Sequence, residues 1–365
     1  MESDIRAERD RNDGGPPRLS VALCTYNGEP WIGQFLESLA AQTCAPDELV
    51  VQDDCSGDAT VALVESFART APFVVRLERN EWRLGSTANF ETALARCRGR
   101  YIALADQDDI WYPTKVRRVL DELESDPTVT LVFSNADLID GAGRPLGRLL
   151  WETRLVGRTL RRNAVVSEEL FARQALTTGC TMVIRRRAAD AALPFPVQLQ
   201  DPVAPMRHDR WLSLVAAAVG TVRALPESLL AFRVHDAQQT GVLIGPRLVA
   251  ELLRAARAAS QGMTAESVRE HLVRADQLEA AAERADLVGD FEEADTIRRI
   301  AGHHRLRARL DDRMVDRLRT VGRKVRSGVY DHTLLGIGAA SADVMRALHP
   351  PPPGARSVPS TKGRP

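Results

Sequence analysis

Clusters of acidic residues follow short apolar runs at two places in the chain. The segment ALADQDDIW, residues 103–111, leads from a hydrophobic stretch into Asp106, Asp108 and Asp109. Carboxylates so close together repel one another unless a cation or a hydrogen-bond donor compensates them. Oxygen ligands of this kind suit Mg²⁺ or Mn²⁺, hard ions that also bind substrate phosphates. We expect a metal site here; the alternative is a cluster that caps the next helix, where acids are stabilising.

Two more strand ends carry polar side chains. In VVQDDCSGDAT, residues 50–60, Asp53 and Asp54 could accept hydrogen bonds from a nucleobase imide or a ribose hydroxyl, or could serve only the turn and the next helix cap. In LCTYNGEPW, residues 23–31, Tyr26 could stack on a base. The chain has neither a GxGxxG fingerprint nor a GxxxxGK[ST] loop, which argues against a dinucleotide-binding Rossmann domain and a phosphate-loop ATPase.

Two later segments carry further candidates. MRHDRWLSL, residues 206–214, begins an apolar helix, and Asp209 is either a general base or merely the cap of that helix. AFRVHDAQQTG, residues 231–241, ends a strand in Arg233 and His235. Histidine is a common metal ligand and arginine neutralises diphosphate oxygens, although a lone histidine is usually structural. With the acidic strand ends, these residues indicate one site in one α/β unit.

The elements between these segments must position them. Across residues 18–245 short β-branched runs alternate with helical stretches, which predicts an α/β catalytic domain with a largely parallel sheet. Within it, residues 143–175 lack a clean period and are predicted to form a loop-and-helix insertion. Residues 246–348 are rich in Ala, Arg, Glu and Leu at helical spacing, which predicts a helical C-terminal region. Residues 1–17 and the Pro-rich residues 349–365 are predicted to be disordered.

Bulk composition narrows the class of protein. The 365 residues carry 49 basic and 49 acidic side chains, so there is no electrostatic case for nucleic-acid binding. Five cysteines without a CxxC pair suggest neither a disulfide framework nor a zinc site, and favour a reducing cytosolic setting. The polar N-terminus predicts no signal peptide, and the longest apolar run, residues 212–222, is too short to span a bilayer. We therefore expect a cytoplasmic enzyme that meets a membrane-borne substrate peripherally, at the inner face.

The combination of motifs resembles the family 2 inverting glycosyltransferases, which have the GT-A fold, from Leu19 to about Gly241. VALCTYNGEPW looks like the first strand and helix of that family, VVQDDCSGDAT is similar to its nucleoside-binding DDGSTD stretch, and NEWRLGSTANF resembles its NxxxxGxxxNF segment. ADQDDIW looks like its metal-binding DxD element, and GCTMVIRR, HDRWLSL and FRVHDAQQTG match later segments in order. The chain looks most like the branch often described as rhamnosyltransferases.

The resemblance implies a mixed, mostly parallel GT-A sheet flanked by helices, followed by a C-terminal helical region. It implies that Asp209 is the catalytic base, and that Mg²⁺ or Mn²⁺ is bound by Asp106, Asp108 and His235. The contacts that it implies for the nucleotide sugar are Thr25, Tyr26, Asn27, Glu29, Asp53, Asp54, Asn80, Gly85, Asn89, Asp106, Gln107 and Arg233.

Two departures from the family pattern affect these contacts. Cys55 and Gly57 stand where DDGSTD has Gly and Thr, but both positions belong to a turn, so the acids are kept. Gln238 or Gln239 stands where the family has an asparagine after the strand-end histidine, which puts the donor contact of that loop in doubt.

The implied reaction moves a sugar, with rhamnose as one candidate, from a dTDP-, UDP- or GDP-sugar donor onto a hydroxyl of a glycan or lipid-linked acceptor, with inversion. Residues 143–205 are expected to select the acceptor, and the C-terminal helices to offer a surface for a homo-oligomer. Two alternatives stay open. A sugar nucleotidyltransferase would release pyrophosphate instead of a nucleoside diphosphate, and a non-catalytic scaffold would use the same fold without turnover.

Overall fold

The computed structural model describes residues 17–153, 177–236, 238 and 265–308. Its strands are β1 Leu19–Thr25, β2 Glu48–Asp53, β3 Val74–Arg79, β4 Tyr101–Asp106, β5 Ile110–Trp111, β6 Val129–Asp140, β7 Pro145–Leu149, β8 Met182–Arg185 and β9 Thr221–Val234. Its helices are α1 Ile32–Ala40, α2 Thr60–Ala68, α3 Ser86–Arg96, α4 Lys115–Ser125, α5 Arg186–Ala192, α6 His208–Ala218, α7 Ala265–Val288 and α8 Phe291–Ala308.

All of these strands belong to one mixed sheet. The order is β3–β2–β1–β4–β8–β6–β9–β5, with β7 paired to β6. β1 pairs in parallel with both β2 and β4, and β2 pairs in parallel with β3. β8 lies antiparallel between β4 and β6, whereas β6 and β9 are parallel. The predicted fold class, a mixed α/β sheet flanked by helices, is confirmed.

The inner strands read as continuous apolar runs because helices cover both faces of the sheet. β1, with the sequence LSVALCT, is buried along almost its whole length. α1 buries Ile32, Phe35, Leu36 and Leu39, the four positions that its helical spacing predicts. This packing fixes the position of the C-terminal end of β1.

Two predictions of local structure need correction. Residues 145–149, inside the predicted loop-and-helix insertion, form strand β7 on the edge of β6. Their side chains are mostly exposed, so no burial pattern marks this strand in the sequence. The acidic cluster expected at a single strand end is divided, because β4 ends at Asp106 and a turn follows before β5. Residues 154–175 of the predicted insertion lie outside the described residues.

The chain divides into two compact units. The first holds the sheet and helices α1 to α6. The second holds residues 196–206 with α7 and α8, although 196–206 lie inside the predicted range 18–245. The domain boundaries stay a prediction. Residues 1–16 of the predicted leader and the predicted tail lie outside the described residues.

The second unit is a helical hairpin in its described part. Gly289, with φ +83°, makes the turn between α7 and α8. The facing surfaces are lined by alanines with Leu278 and Ile297, which are all fully buried. Gln277 donates hydrogen bonds to the carbonyls of Gln198 and Ala204 at 3.1 and 2.8 Å. Helices are thus confirmed for 265–308; the rest of 246–348 lies outside the described residues. None of the described helices is long and apolar enough to cross a bilayer.

Candidate functional site

Three parallel strands end at one edge of the sheet and bring the candidate residues together. β1 lies between β2 and β4, with Thr25 opposite Asp53 and Cys24 opposite Asp106. In open α/β sheets, ligands bind beyond the carboxyl ends of the strands. The polar strand ends recognised in the sequence therefore share one surface.

Gln107 joins the acidic loop after β4 to the end of β1. Its side-chain oxygen accepts the Tyr26 N–H at 3.0 Å, and its amide donates to the Tyr26 carbonyl at 2.9 Å. Gly28 leaves room for this clamp, because a Cβ atom there would lie 2.2 Å from Gln107 Oε1. Gln107 contacts protein backbone in the structure; its contact with a nucleotide sugar stays a prediction.

Asp53 is fully buried and serves the turn after β2. Its Oδ1 accepts the Thr25 hydroxyl at 2.8 Å, and its Oδ2 accepts the Ser56 N–H at 2.9 Å. Arg79 Nε lies 3.7 Å from Oδ2. These contacts match the turn interpretation of Asp53, and they fix the ends of β1 and β2 relative to each other.

The loop after β1 and the turn after β2 also bind each other. Gly57 N–H donates to Asn27 Oδ1 at 2.8 Å, and Ala59 N–H donates to Glu29 Oε2 at 3.0 Å. Cys55, which replaces the glycine of the family motif, has φ +64°. This left-handed conformation costs a non-glycine residue about 1–2 kcal/mol. The turn keeps its shape despite the substitution.

Asp54 holds the loop between β3 and α3. Its Oδ1 accepts the Leu84 N–H at 2.6 Å and the Asn80 amide at 2.9 Å, and its Oδ2 accepts the Gly85 N–H at 2.9 Å. Gly85 has φ +82°, a conformation that favours glycine. Asn80 also donates to Asn89 Oδ1 at 2.8 Å. The structure brings these four predicted donor contacts into one network.

An exposed aromatic ring, that of Tyr26, lies beside the network formed by Asp54. Tyr26 is 37% exposed, and the Arg83 guanidinium carbon lies 3.9 Å from its ring centroid. Trp82, on the same loop, is 65% exposed. An exposed ring of this kind can stack on a flat base, and arginine can stack on the other side of it. Arg83 is a candidate nucleoside-binding residue that the sequence does not indicate, because the chain contains many arginines and nothing local distinguishes this one.

The acidic loop brings several carboxyl groups close together. Burial, followed by the charge of Asp108, raises the pKa of Asp106 to about 7, and Asp209 adds to the rise. Burial, followed by the charges of Asp108 and Asp106, raises the pKa of Asp109 well above its usual range. The helix-cap alternative for this cluster is wrong, because α4 begins only at Lys115, with no side-chain cap.

His235 lies against the acidic loop. Its Nε2 is 2.8 Å from Asp108 Oδ2, and its ring centroid lies 3.9 Å from that of Trp31. Its Nδ1 is buried and has no hydrogen-bond partner among the described residues. Among the described residues, the group whose potential ligand atoms all lie within 4.8 Å of one another is Asp106, Asp109 and Cys180, which shares only Asp106 with the predicted ligand set. Clustered carboxylates beside an orphaned imidazole nitrogen fit a divalent cation.

Arg233 supports the acidic loop from the protein side and is 1% exposed. Its Nε donates to the Asp108 carbonyl at 2.7 Å, and its two terminal nitrogens donate to Gln34 Oε1 at 2.6 Å and to the Gly141 carbonyl at 3.1 Å. Its predicted contact with a diphosphate stays a prediction. In the structure, Arg233 fixes the backbone that carries Asp108.

Asp209, on α6, lies near the acidic loop that follows β4. It lies in the first turn of the helix and close enough to raise the pKa of Asp106. The cap alternative for Asp209 is wrong, because the N-cap residue is Arg207. The preceding His208 stacks on Phe90 at 3.9 Å, and burial lowers its pKa to about 4. His208 is buried whereas Asp209 is partly exposed, so Asp209 is the candidate base on this turn that a substrate can reach.

Lys115 and Cys180 form a buried pair behind the acids, and the sequence reasoning missed both. Lys115 Nζ donates to the Cys180 carbonyl at 3.0 Å and lies 4.7 Å from the Trp111 ring centroid. Burial lowers the pKa of Lys115 to about 8. In the sequence, Lys115 could have been noticed by its residue type, because lysine is rare in this arginine-rich chain.

Without added metal, the contribution of Asp106 to stability should fall as pH rises towards 8. Its pKa of about 7 lies above its ordinary 3.8, so between these values the folded chain binds the extra proton. A raised carboxyl pKa stabilises at low pH, and this stabilisation is lost as pH rises through the folded value. Mn²⁺ competes with that proton, so it should stabilise the chain more at high pH.

Urea midpoints of the parent and Asp106→Asn at about pH 5.5 and about pH 8, with and without Mn²⁺, measure this contribution. The Asn variant should lose the pH-dependent difference and most of the Mn²⁺ effect. Equal pH slopes for parent and variant would contradict the assignment.

Comparison with known proteins shows which proteins this chain is similar to. The family model described as "Glycosyl transferase family 2" matches residues 20–191. An uncharacterized protein of Mycobacterium tuberculosis is 30% identical over 221 residues, which are 60% of this chain and 59% of the relative. The dTDP-rhamnosyl transferase RfbG of Shigella flexneri is 29% identical over 177 residues, which are 45% of this chain and 54% of RfbG.

A solved structure shares the fold. Residues 1–349 of S. aureus TarS, in complex with UDP-GlcNAc, superpose with a TM-score of 0.52 at 15% identity, covering 91% of this chain and 89% of that one. The chain spans less than two thirds of the length of the two relatives described above. Its residues 20–191 match the model of glycosyl transferase family 2, as the resemblance of its motifs predicts.

Proposed function

We propose that this protein is an inverting glycosyltransferase that moves a sugar from a nucleoside-diphosphate donor onto a hydroxyl acceptor. The observation that carries the proposal is the convergence on Asp106. Its carboxylate lies in the electrostatic field of both Asp108 and Asp209, one strand away from the loops held by Asp53 and Asp54. The groups proposed to bind the diphosphate, to take the acceptor proton and to stack on the nucleobase therefore lie at one edge of the sheet.

The nucleoside end of the donor is assigned to Tyr26 and the loop held by Asp54. The exposed ring of Tyr26 offers a stacking face, and Arg83 covers it at 3.9 Å. Both carboxylates after β2 are already hydrogen-bonded to protein donors. In the proposal, Asp53 and Asp54 therefore shape the pocket for the nucleobase. The family resemblance implies that they also contact the donor directly.

The diphosphate end is assigned to Asp106, Asp108 and His235. The proximity of these groups supports this assignment, since Asp108 is close enough to raise the pKa of Asp106 and His235 Nε2 lies 2.8 Å from Asp108 Oδ2. A bound Mg²⁺ or Mn²⁺ would supply charge stabilisation for the departing diphosphate. The protein side chains orient the donor, and Arg233 keeps Asp108 in place.

Asp209 is proposed to take the proton of the acceptor hydroxyl as its oxygen attacks the anomeric carbon. The bond from that carbon to the diphosphate oxygen breaks in the same step, on the opposite face, so the centre is inverted. Asp209 is partly exposed whereas His208 is buried, which supports the Asp209 carboxylate as the group that takes the acceptor proton.

Donor and acceptor classes complete the proposal. The donor is a dTDP-, UDP- or GDP-sugar; the name of RfbG supports the dTDP-rhamnose member of this set. The acceptor is a hydroxyl of a glycan or a lipid-linked glycan in cell-envelope polysaccharide or natural-product glycan synthesis. We place the reaction in the cytoplasm, with peripheral membrane contact for a lipid-linked acceptor and a homo-oligomer through the C-terminal helices.

Gly28→Ala should weaken nucleoside-diphosphate binding roughly tenfold, because the new Cβ must displace the Gln107 amide and break two hydrogen bonds to Tyr26. Gly57→Ala is the matched control, since a Cβ there meets nothing within 4 Å. Calorimetric titration with UDP, dTDP and GDP measures the effect. Equal affinities for the parent and Gly28→Ala would show that the clamp does not shape the site.

Donor transfer itself is tested with radiolabelled sugar nucleotides and Mn²⁺ or Mg²⁺. The proposal predicts release of nucleoside diphosphate, by transfer or slow hydrolysis, and a melting-temperature increase with the cognate donor. Pyrophosphate release would instead identify a nucleotidyltransferase. Absence of both turnover and thermal shift across all three nucleotide classes would support a non-catalytic scaffold.

A further inference from the structure

Two histidines of the second compact unit face each other across the helical hairpin. The Nδ1 atoms of His271, on α7, and His304, on α8, are 2.9 Å apart, and the two ring centroids are 5.2 Å apart. Both side chains are half-buried, so a small ion can reach them from solvent. A neutral imidazole has one donor and one acceptor nitrogen, so at this distance the two Nδ1 atoms share one proton.

The pair continues the buried contact between the two helices. Ala275 lies one turn after His271, Ala301 lies one turn before His304, and both alanines are fully buried. Residues three or four apart share one face of a helix, so the histidines occupy the next layer of the same interface. The packed layer beneath them sets the distance between the helices, and with it the separation of the two imidazoles.

The separation of the two nitrogens fits two ligands of one transition-metal ion. Bonds of about 2.0–2.1 Å at an angle of about 90° place two imidazole nitrogens about 2.9 Å apart. A tetrahedral angle places them about 3.3 Å apart, which requires only a small movement of the side chains. Imidazole suits Zn²⁺, Cu²⁺ and Ni²⁺, whereas Mg²⁺ and Mn²⁺ prefer oxygen ligands. The pair therefore has a different metal preference from the acidic loop after β4.

Other polar contacts between α7 and α8 join an arginine to an acid. Arg298 contacts Glu279 and Asp286, and Arg305 contacts Glu279 at 2.9 Å. In such pairs each cation meets an anion, and no further ligand is needed. Two facing imidazoles are of one residue type, and both can bind the same ion when the proton between them leaves.

We propose that His271 and His304 form a bidentate site for a divalent transition-metal ion of the Zn²⁺ or Ni²⁺ class. The ion takes the place of the proton shared by the two Nδ1 atoms and joins α7 to α8, at the end of the described hairpin opposite the Gly289 turn. Water completes the coordination, because the pair supplies two protein ligands. The site uses none of the residues assigned to the sugar donor and does not rest on the proposed function.

Calorimetric titration of the full chain with Zn²⁺ tests the site, with Mg²⁺ in excess to compete for the acidic loop. His271→Gln and His304→Gln should each weaken the binding of one Zn²⁺ by about tenfold or more, because the second ligand then no longer acts at high effective concentration. The double variant should lose little more than either single variant, since the loss of one imidazole already ends bidentate binding.

His303→Gln is the matched control, because His303 is also half-buried and is next to His304 on α8. Its Zn²⁺ affinity should stay within about twofold of the parent value. Zn²⁺ affinity that is equal in the parent and either paired-histidine variant would overturn the site. An equal loss in His303→Gln would overturn it as well, because the effect would then not belong to the facing pair.

Hydrogen exchange of the parent chain is a second readout that needs no variant. An ion that joins the helices should slow exchange around His271 and His304 when Zn²⁺ is added, and Mg²⁺ should not. Unchanged exchange in α7 and α8 at saturating Zn²⁺ would leave the pair as a hydrogen bond only. Neither measurement uses a sugar nucleotide or turnover, so failure here leaves the proposed function intact, and a chain without transferase activity can still show the metal site.

Discussion

Asp209→Asn is expected to lower turnover by roughly 10²–10⁴-fold, the usual contribution of general-base assistance. Asparagine keeps the size of the side chain but cannot take the acceptor proton. Because the proposal has Asp209 contact the acceptor and not the nucleotide, the affinity for nucleoside diphosphate should stay within about twofold of the parent value, well below one tenfold step of 1.4 kcal/mol. Rate measurements at saturating donor and acceptor, with calorimetric titration of the nucleoside diphosphate, check both expectations.

The matched control for this variant is Asp190→Asn, an exposed acid on α5 with 58% side-chain exposure. It should change neither quantity. Turnover retained in Asp209→Asn would remove this residue as the base. Loss of nucleotide binding together with turnover would mean that Asp209 shapes the donor site instead.

Asp108→Asn is expected to weaken Mn²⁺ binding by about tenfold or more and to lower turnover by about 100-fold, since the charge stabilisation supplied by a bound cation contributes several kcal/mol. The loss removes one carboxylate of the proposed ligand set and the partner of His235, whose Nε2 lies 2.8 Å from Asp108 Oδ2. Titration of Mn²⁺ in the absence of nucleotide measures the affinity, and donor turnover at increasing Mn²⁺ measures the rate.

Excess Mn²⁺ should restore part of the activity of Asp108→Asn, because a weakened site can still be filled by mass action. Asp121→Asn on the exposed side of α4 is the control and should behave as the parent does. Unchanged Mn²⁺ affinity in Asp108→Asn would exclude this carboxylate from the ligand set.

The polar residues at the strand ends could be predicted, because the pattern that marks them lies within a few neighbouring residues of the sequence. Each of β1, β2 and β4 is an apolar run that stops at polar residues, and parallel pairing then brings those ends to one edge. The class of sheet and the buried positions of α1 follow from the same periodicities. Strand β7 could not be predicted, because its exposed edge position leaves no alternation of apolar side chains.

The contacts that shape the site could not be predicted, because they join distant parts of the chain. Nothing local distinguishes a Gln107 that binds the Tyr26 backbone from one that faces a ligand. The helix-cap alternatives for Asp106–Asp109 and Asp209 also depended on where α4 and α6 begin, and helix starts are uncertain by one or two residues in any assignment. The buried, structural contacts of Arg233 and Lys115 could not be predicted for the same reason, since burial of a cation depends on partners elsewhere in the chain.

The two hydrogen bonds of Gln107 have a consequence for the order in which ligands bind. They connect the backbone of Tyr26, the proposed stacking residue for the nucleoside, to the loop that carries Asp106 and Asp108, the proposed metal ligands. Ordering one end therefore removes part of the conformational entropy that the other end must lose on binding. By linkage, the cation and the nucleotide should each increase the affinity for the other by the same factor. The clamp thus makes the donor and its counter-ion a thermodynamically coupled pair rather than two independent ligands.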